Sequence, residues 1–326
     1  LGASKVLTIK FNEKPIISDY TPSSKENKNT AFFYKNNSFK SFEAIFSNAV
    51  KDRLISDVPI GCFLSGGLDS SLVAYYAQKF SKKKLDTFTI GFKEKRYDES
   101  KKSRKIADFL KTNHNEIVIK EDDFLNLINK TEEIFDEPFS DPSYIPIIIL
   151  SNLAKSKVKV VLSGDGGDEL FAGYRRHKLA YFYSVLLSKF NSQLIGSFSK
   201  NFWKFNVNML FALNKNNALF QNEQLILTIQ KLIVGLFSKD ISSLYSNSLS
   251  KISHPMFFDE LRFKNSNYLI NEINFNKNIS SLNNVLNWDL DYYLINNVNV
   301  KIDRSSMSQG LEVRSPFMDK RLIYLS

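Results

Sequence analysis

Four strand-like runs, each followed by a stretch with helical spacing, restrict the fold of this chain more than any other feature. The runs lie at 58–64, 85–92, 115–119 and 158–162. Between them, apolar residues recur three or four apart in 69–80, 98–111, 121–134 and 146–156. Near-continuous apolar strands need cover on both faces, and strands that alternate with helices pair in parallel. The expected fold is therefore α/β, a doubly wound parallel sheet. Ligands of such sheets sit outside the C-terminal ends of the strands. The residues that leave each strand are the first place to look for chemistry.

Two of the exits turn on glycines. After the first run comes Ser65-Gly66-Gly67-Leu68-Asp69-Ser70-Ser71, which enters a helix carrying Leu72, Val73, Tyr75, Tyr76 and Phe80 on its apolar face. Paired glycines admit a close ligand, the serines add hydroxyl donors, and the helix start leaves its first N–H groups unpaired. That outlines a polyphosphate site. A lysine-bearing phosphate loop would continue GK[ST], but Asp69 stands at this helix start instead. A carboxylate facing phosphates needs a cation between them, so Asp69 implies Mg²⁺. A lone glycine turn capped by serine and aspartate would be structural; the strand before and the helix after favour the ligand reading.

The second exit, after 158–162, reads Ser163-Gly164-Asp165-Gly166-Gly167-Asp168-Glu169-Leu170-Phe171-Ala172-Gly173-Tyr174. A parallel sheet puts both exits on one edge, where their acidic groups can meet around a single ligand. A solvated helix start accounts for one or two carboxylates. Asp165, Asp168 and Glu169 exceed that and point to a metal or acid–base role.

The remainder is less directive. A strand at 5–11 precedes a polar linker around 23–27, and 40–55 reads as an amphipathic helix. Residues 178–280 change to helical spacing with few strand signals, a helical insertion whose aromatics (Phe198, Phe202, Trp203, Phe205) read as core. Lys301 and Arg304, three apart, share a helix face. Arg314, beside Pro316 and Phe317, reads as a buried or paired arginine. The net charge of +10 comes from scattered lysines in a chain rich in Asn, Lys, Ile and Phe, which is a compositional bias and not a nucleic-acid face. No apolar run reaches membrane-spanning length. The single cysteine, Cys62, lies in the strand before the first turn, a buried thiol suited to a reducing cytoplasm. The oligomeric state stays open, with a homodimer among the options.

SGGLDSS after an apolar strand resembles the pyrophosphate loop of the ATP-pyrophosphatase, or adenine nucleotide alpha-hydrolase-like, group. Taken with Asp136-Glu137-Pro138-Phe139-Ser140-Asp141-Pro142-Ser143, SGDGGDELFAGY and VKIDRSSMSQGLEVRSPFMD, it resembles the glutamine-hydrolysing asparagine synthetases, from about Phe42 to Ser326. The resemblance implies that aspartate attacks the α-phosphorus of ATP to give β-aspartyl-AMP and pyrophosphate, and that ammonia then displaces AMP. It implies that Ser65, Gly66, Gly67, Ser70 and Ser71 hold the pyrophosphate and that Asp69 and Asp168 bind Mg²⁺. Leu64, Ile90, Ser163 and Gly164 would contact the adenosine, Asp165 would be the general base, and Lys301 or Arg304 would neutralise charge at the α-phosphate. The ammonia of such enzymes comes from glutamine through an N-terminal glutaminase domain. Residues 1–35 resemble only the end of that domain and its linker, and 36–326 the synthetase domain, with truncation expected at Ser326. As given, the chain is expected to use free ammonia. Tyr293-Leu294-Ile295-Asn296-Asn297 departs from the proline and two acids common at that place. Amidation or cyclisation of another carboxylate (a surface-sugar acid, a β-lactam or a peptide) by the same adenylation is the competing reading. A tRNA-modifying enzyme is the reading from another class, and the second turn argues against it.

Overall fold

Alternating apolar strands and helices do build a parallel sheet. The structure, a computed structural model, describes residues 5–19, 38–94, 98–189, 241, 242, 245, 249 and 280–326. A short hairpin comes first, β1 (Lys5–Thr8) paired antiparallel with β2 (Ile16–Asp19). Helix α1 (Ser38–Arg53) leads into β3 (Ile60–Phe63), α2 (Leu68–Phe80), β4 (Asp86–Phe92), α3 (Ser100–Leu110) and β5 (Asn113–Ile119). The helical stretch expected at 121–134 is broken at Asn129 and Lys130 into α4 (Glu121–Ile128) and α5 (Thr131–Ile134). Then come α6 (Tyr144–Lys155), β6 (Val160–Leu162), α7 (Gly167–Phe171) and α8 (Arg175–Lys189). The last part holds α9 (Ser281–Trp288), an eleven-residue π-helix (Asp289–Asn299), α10 (Val300–Met307), β7 (Glu312–Arg314), a 3₁₀ turn (Pro316–Met318) and α11 (Lys320–Ile323). The expected linker at 23–27 and most of the expected insertion, including Phe198 to Phe205, lie outside the described residues.

The five-stranded sheet has the order β5-β4-β3-β6-β7, with every neighbour parallel. β7 was not expected from sequence. Side chains alternate across the strands, so Cys62 and Leu162 go to one face, Phe63 and Val161 to the other. On the first face Phe46, Val50, Val73, Ala77 and Leu322 pack from α1, α2 and α11. On the second, Ala154 of α6 joins Phe88, Val158 and Leu311. Helical cover on both faces makes the sheet doubly wound. Cys62 is a free, fully buried thiol as expected, and burial pushes its pKa up to about 12.

The chain runs outward from β3 through β4 to β5, then returns to the other side of β3 as β6. The strand order therefore reverses between β3 and β6, which is where an open parallel sheet leaves a crevice. Both glycine turns leave the sheet there. Among the described residues no helix is long and apolar enough to cross a membrane.

Candidate active site

The first turn is built almost wholly from its own residues. Leu64 is buried, and its N–H extends the ladder to the Phe88 carbonyl at 2.8 Å. Ser65 N–H then donates to Ser70 Oγ (3.2 Å), the Ser65 and Ser70 hydroxyls are 3.0 Å apart, and Gly67 N–H donates to Ser65 Oγ (3.3 Å). Ser71 Oγ donates to the Gly67 carbonyl at 2.5 Å. Gly66 takes φ of +79°, a left-handed turn that suits glycine. No side chain caps α2, so its first N–H groups face the turn. Ile90 lies on the adjacent strand β4, half-buried.

The second turn presses against the first. Ser163 N–H donates to the Arg314 carbonyl (3.0 Å), and its buried hydroxyl pulls the Asp165 carboxyl down against its burial. A methyl group on Gly164 would meet Ser70 N at 2.7 Å; one on Gly167 would meet the Asp69 Cγ at 2.6 Å. The Asp69 carboxylate thus lies directly over the first turn of α7. Burial, and then the charges of Asp168, Glu169 and Asp165, push Asp69 up to about 6. Burial also raises Asp165, Asp168 and Glu169, with His177 and Arg176 pulling Asp168 partly back. Among the described residues neither the Asp69 nor the Asp168 side chain has a hydrogen-bond or ion-pair partner.

Converging, unpaired carboxylates are what a cation relieves. Among the described residues no three His, Cys, Asp or Glu side chains form a ready metal cage. Mg²⁺ is commonly held by one or two carboxylates together with substrate phosphates. Asp69 and Asp168 are the residues that fit this part.

Lys301 and Arg304 do share a face of α10, and both reach back to the 136–143 segment. Lys301 Nζ lies 3.0 Å from Asp141 Oδ2, and Arg304 pairs with Asp136. Burial works to raise Asp141, but Lys301 and the Ser143 hydroxyl and N–H outweigh it and hold the carboxyl below its usual value. Lys301 also pulls Asp165 down against its burial. A cavity of about 410 Å³ opens beside the second turn, lined by Ser163, Asp165, Arg304, Ser306, Ser315 and Met318 among others. Ser315 Oγ donates to the Asp165 carbonyl, pinning the turn to the segment after β7. Arg314 is paired as expected, with Glu312 (2.6 Å) and the Arg53 and Ile55 carbonyls.

Sequence reasoning missed a buried polar cluster behind the second turn. Asp289 accepts from Arg176 Nη2 (2.8 Å), His177 Nε2 (2.7 Å) and the Tyr245 hydroxyl (2.5 Å). The available signal was an acid between Trp288 and Leu290, in surroundings that would bury it, and an Arg-Arg-His run directly after Tyr174.

Comparison with known proteins gives a consistent result. The family model described as asparagine synthase matches residues 41–326. A putative asparagine synthetase (glutamine-hydrolyzing) 2 of Methanocaldococcus jannaschii is 50% identical over 135 residues, 41% of this chain and 26% of that protein. Asparagine synthetase (glutamine-hydrolyzing) 1 of Bacillus subtilis is 28% identical over 280 residues, 85% of this chain and 41% of that protein. Asparagine synthetase (glutamine-hydrolyzing) 3 of Arabidopsis thaliana is 41% identical over 143 residues, 40% of this chain and 24% of that protein. The matches thus span 24% to 41% of the length of these relatives.

Proposed function

The chain belongs to the asparagine synthase family, and on that premise we propose that it carries the ATP-dependent amidation of aspartate to asparagine. In this reading 36–326 are the synthetase domain and 1–35 the end of a glutaminase module that supplies ammonia from glutamine. The aspartate side-chain carboxylate attacks the α-phosphorus of ATP, pyrophosphate leaves, and ammonia displaces AMP from the β-aspartyl-adenylate.

Each step has a group to serve it. The leaving pyrophosphate gains charge as the bond breaks, and N–H and hydroxyl donors aimed at it stabilise that charge. Ser65, Gly66, Gly67, Ser70 and Ser71 supply those donors, the Ser70 and Ser71 hydroxyls turning from the Gly67 carbonyl to the ligand. Bound Mg²⁺, held by Asp69 and Asp168, would neutralise the phosphate oxygens. Leu64, Ile90, Ser163 and Gly164 line the adenosine side. Asp165, its pKa raised by burial, takes a proton from the attacking ammonia. Lys301, the cation that acts on Asp165, and Arg304, which lines the cavity, are both candidates to offset charge at the α-phosphate.

The single observation that carries the proposal is the seating of the Asp69 carboxylate against Gly167, which joins the two turns into one crevice. The test is AMP and pyrophosphate release from Mg·ATP with ammonium and a panel of carboxylic acids. Aspartate is expected to support release with asparagine as product. Release with a sugar acid, a β-lactam precursor or a peptide, and not with aspartate, would keep the adenylation and change the acceptor. No AMP with any acid would overturn the proposal.

A further inference from the structure

A fully buried carboxylate is costly unless every lone pair is matched, and an apolar residue of similar size would often be at least as stable. Asp289, at the first position of the π-helix, has no exposed surface, and its three partners converge from two other parts of the chain. An ionised carboxylate only accepts, so His177 Nε2 carries the proton in that contact. Arg176 Nε also donates to the Tyr245 hydroxyl at 2.7 Å, which closes the cluster.

The cluster does not end in the core. The Arg176 guanidinium packs against two rings set edge to face, 3.8 Å from the centre of Tyr174 and 4.3 Å from that of Tyr293. Tyr174 in turn donates its hydroxyl to Glu169 Oε1 at 2.6 Å, and Glu169 is buried. Gly173, one residue before Tyr174, donates its N–H to the Asp168 carbonyl at 3.0 Å. Its Cα faces the Asp168 side chain so closely that a methyl there would overlap Oδ1. Asp168 is therefore boxed by Gly173 on one side, and Gly173 is held through Tyr174 and Arg176 to Asp289.

We infer that Asp289 is a positioning residue for Asp168, acting through Arg176, Tyr174 and Glu169 to hold the metal-facing end of the second turn against Asp69. This rests on the magnesium–ATP reading above. Its test is a difference between two affinities, which a general loss of stability does not move. Isothermal calorimetry on the full chain measures binding of Mg·ATP and of ATP in excess EDTA, for wild type, Asp289→Asn and Tyr174→Phe. Outer partners of metal ligands are typically worth 10- to 100-fold, so the gain from magnesium should fall about tenfold in Asp289→Asn and about threefold in Tyr174→Phe, with metal-free binding within about twofold. Tyr174→Phe removes one hydroxyl, and it decides the matter if Asp289→Asn does not fold. An unchanged magnesium gain in Tyr174→Phe and in folded Asp289→Asn, or equal weakening of both nucleotide forms, overturns the inference. No magnesium gain in the wild type overturns the nucleotide reading itself, and this inference with it.

Discussion

The two glycine turns keep their shapes by different means. The first holds its shape with bonds that span at most five residues, among Ser65, Gly67, Ser70 and Ser71. The second adds to its own short-range bonds a set of distant supports, Asp289, Tyr245 and Tyr293 behind it and Ser315 and Arg314 in front. A turn that organises itself keeps its geometry when distant parts of the chain change. A turn held from outside inherits every disturbance of its supports. The site therefore has a self-sufficient half and a dependent half, and perturbations should sort accordingly.

The largest effect is expected at the seam. In Gly164→Ala the new methyl meets backbone, at Ser70 N and the Asp69 carbonyl carbon, which cannot rotate away. The turns must separate, and a misplacement of about 1 Å at a reacting centre can cost about 100-fold in rate; AMP release from Mg·ATP should fall on that scale. Wild-type release in that variant would mean that the seam is not where the chemistry takes place. Next comes Arg176→Gln, which leaves Asp289 buried with one charge partner removed. Breaking a buried pair costs about 3 kcal/mol, to be read from the urea midpoint, with nucleotide affinity lost alongside. The self-sufficient half should be milder: Ser70→Ala removes one part-buried hydroxyl, and about 1 kcal/mol is expected. A Ser70→Ala penalty equal to that of Arg176→Gln would erase the contrast.

The smallest effect concerns the tie between α10 and the 136–143 segment, which belongs to neither turn. The Asp141 carboxyl is held below its ordinary 3.8 in the folded protein. A depressed folded value means stability that is present above 3.8 and lost as pH falls through the folded value. Asp141→Asn should be less stable than wild type near neutral pH, and the gap should close as the solution is taken well below 3.8. A gap that stays open in acid would show that the loss comes from packing and not from the Lys301 charge.

The same contrast explains what could be read from the sequence. The doubly wound sheet was legible because β3 and β6 are apolar on both faces, and Cys62 and Phe63 do pack to opposite sides. The first turn was legible because its partners sit inside one heptapeptide. The Asp289 cluster was not, since Tyr245 is 69 residues from Arg176 and Asp289 is 113 away. β7 was missed because its three residues have no strand pattern of their own. It exists because β6 offers a free edge and Val313 can reach the same apolar cluster as Val161. Helix 121–134 was read as continuous because its apolar spacing runs on, although Asn129 and Lys130 break it. Lys301 and Arg304 share one face as their spacing requires, while nothing in the sequence pairs them with Asp141 and Asp136, some 160 residues away.

The π-helix joins Asp289 at one end to the Lys301-bearing helix at the other. In an α-helix each residue advances the direction of a side chain by roughly 100°, and a π-helix advances it by less, so its residue count sets the angle between its ends. Loss or gain of one residue in 289–299 would rotate Lys301 away from Asp141 while leaving Asp289 in place. Substitutions in that stretch can be absorbed wherever the side chain faces water, but an insertion or deletion cannot. Length, more than composition, is what this segment has to keep.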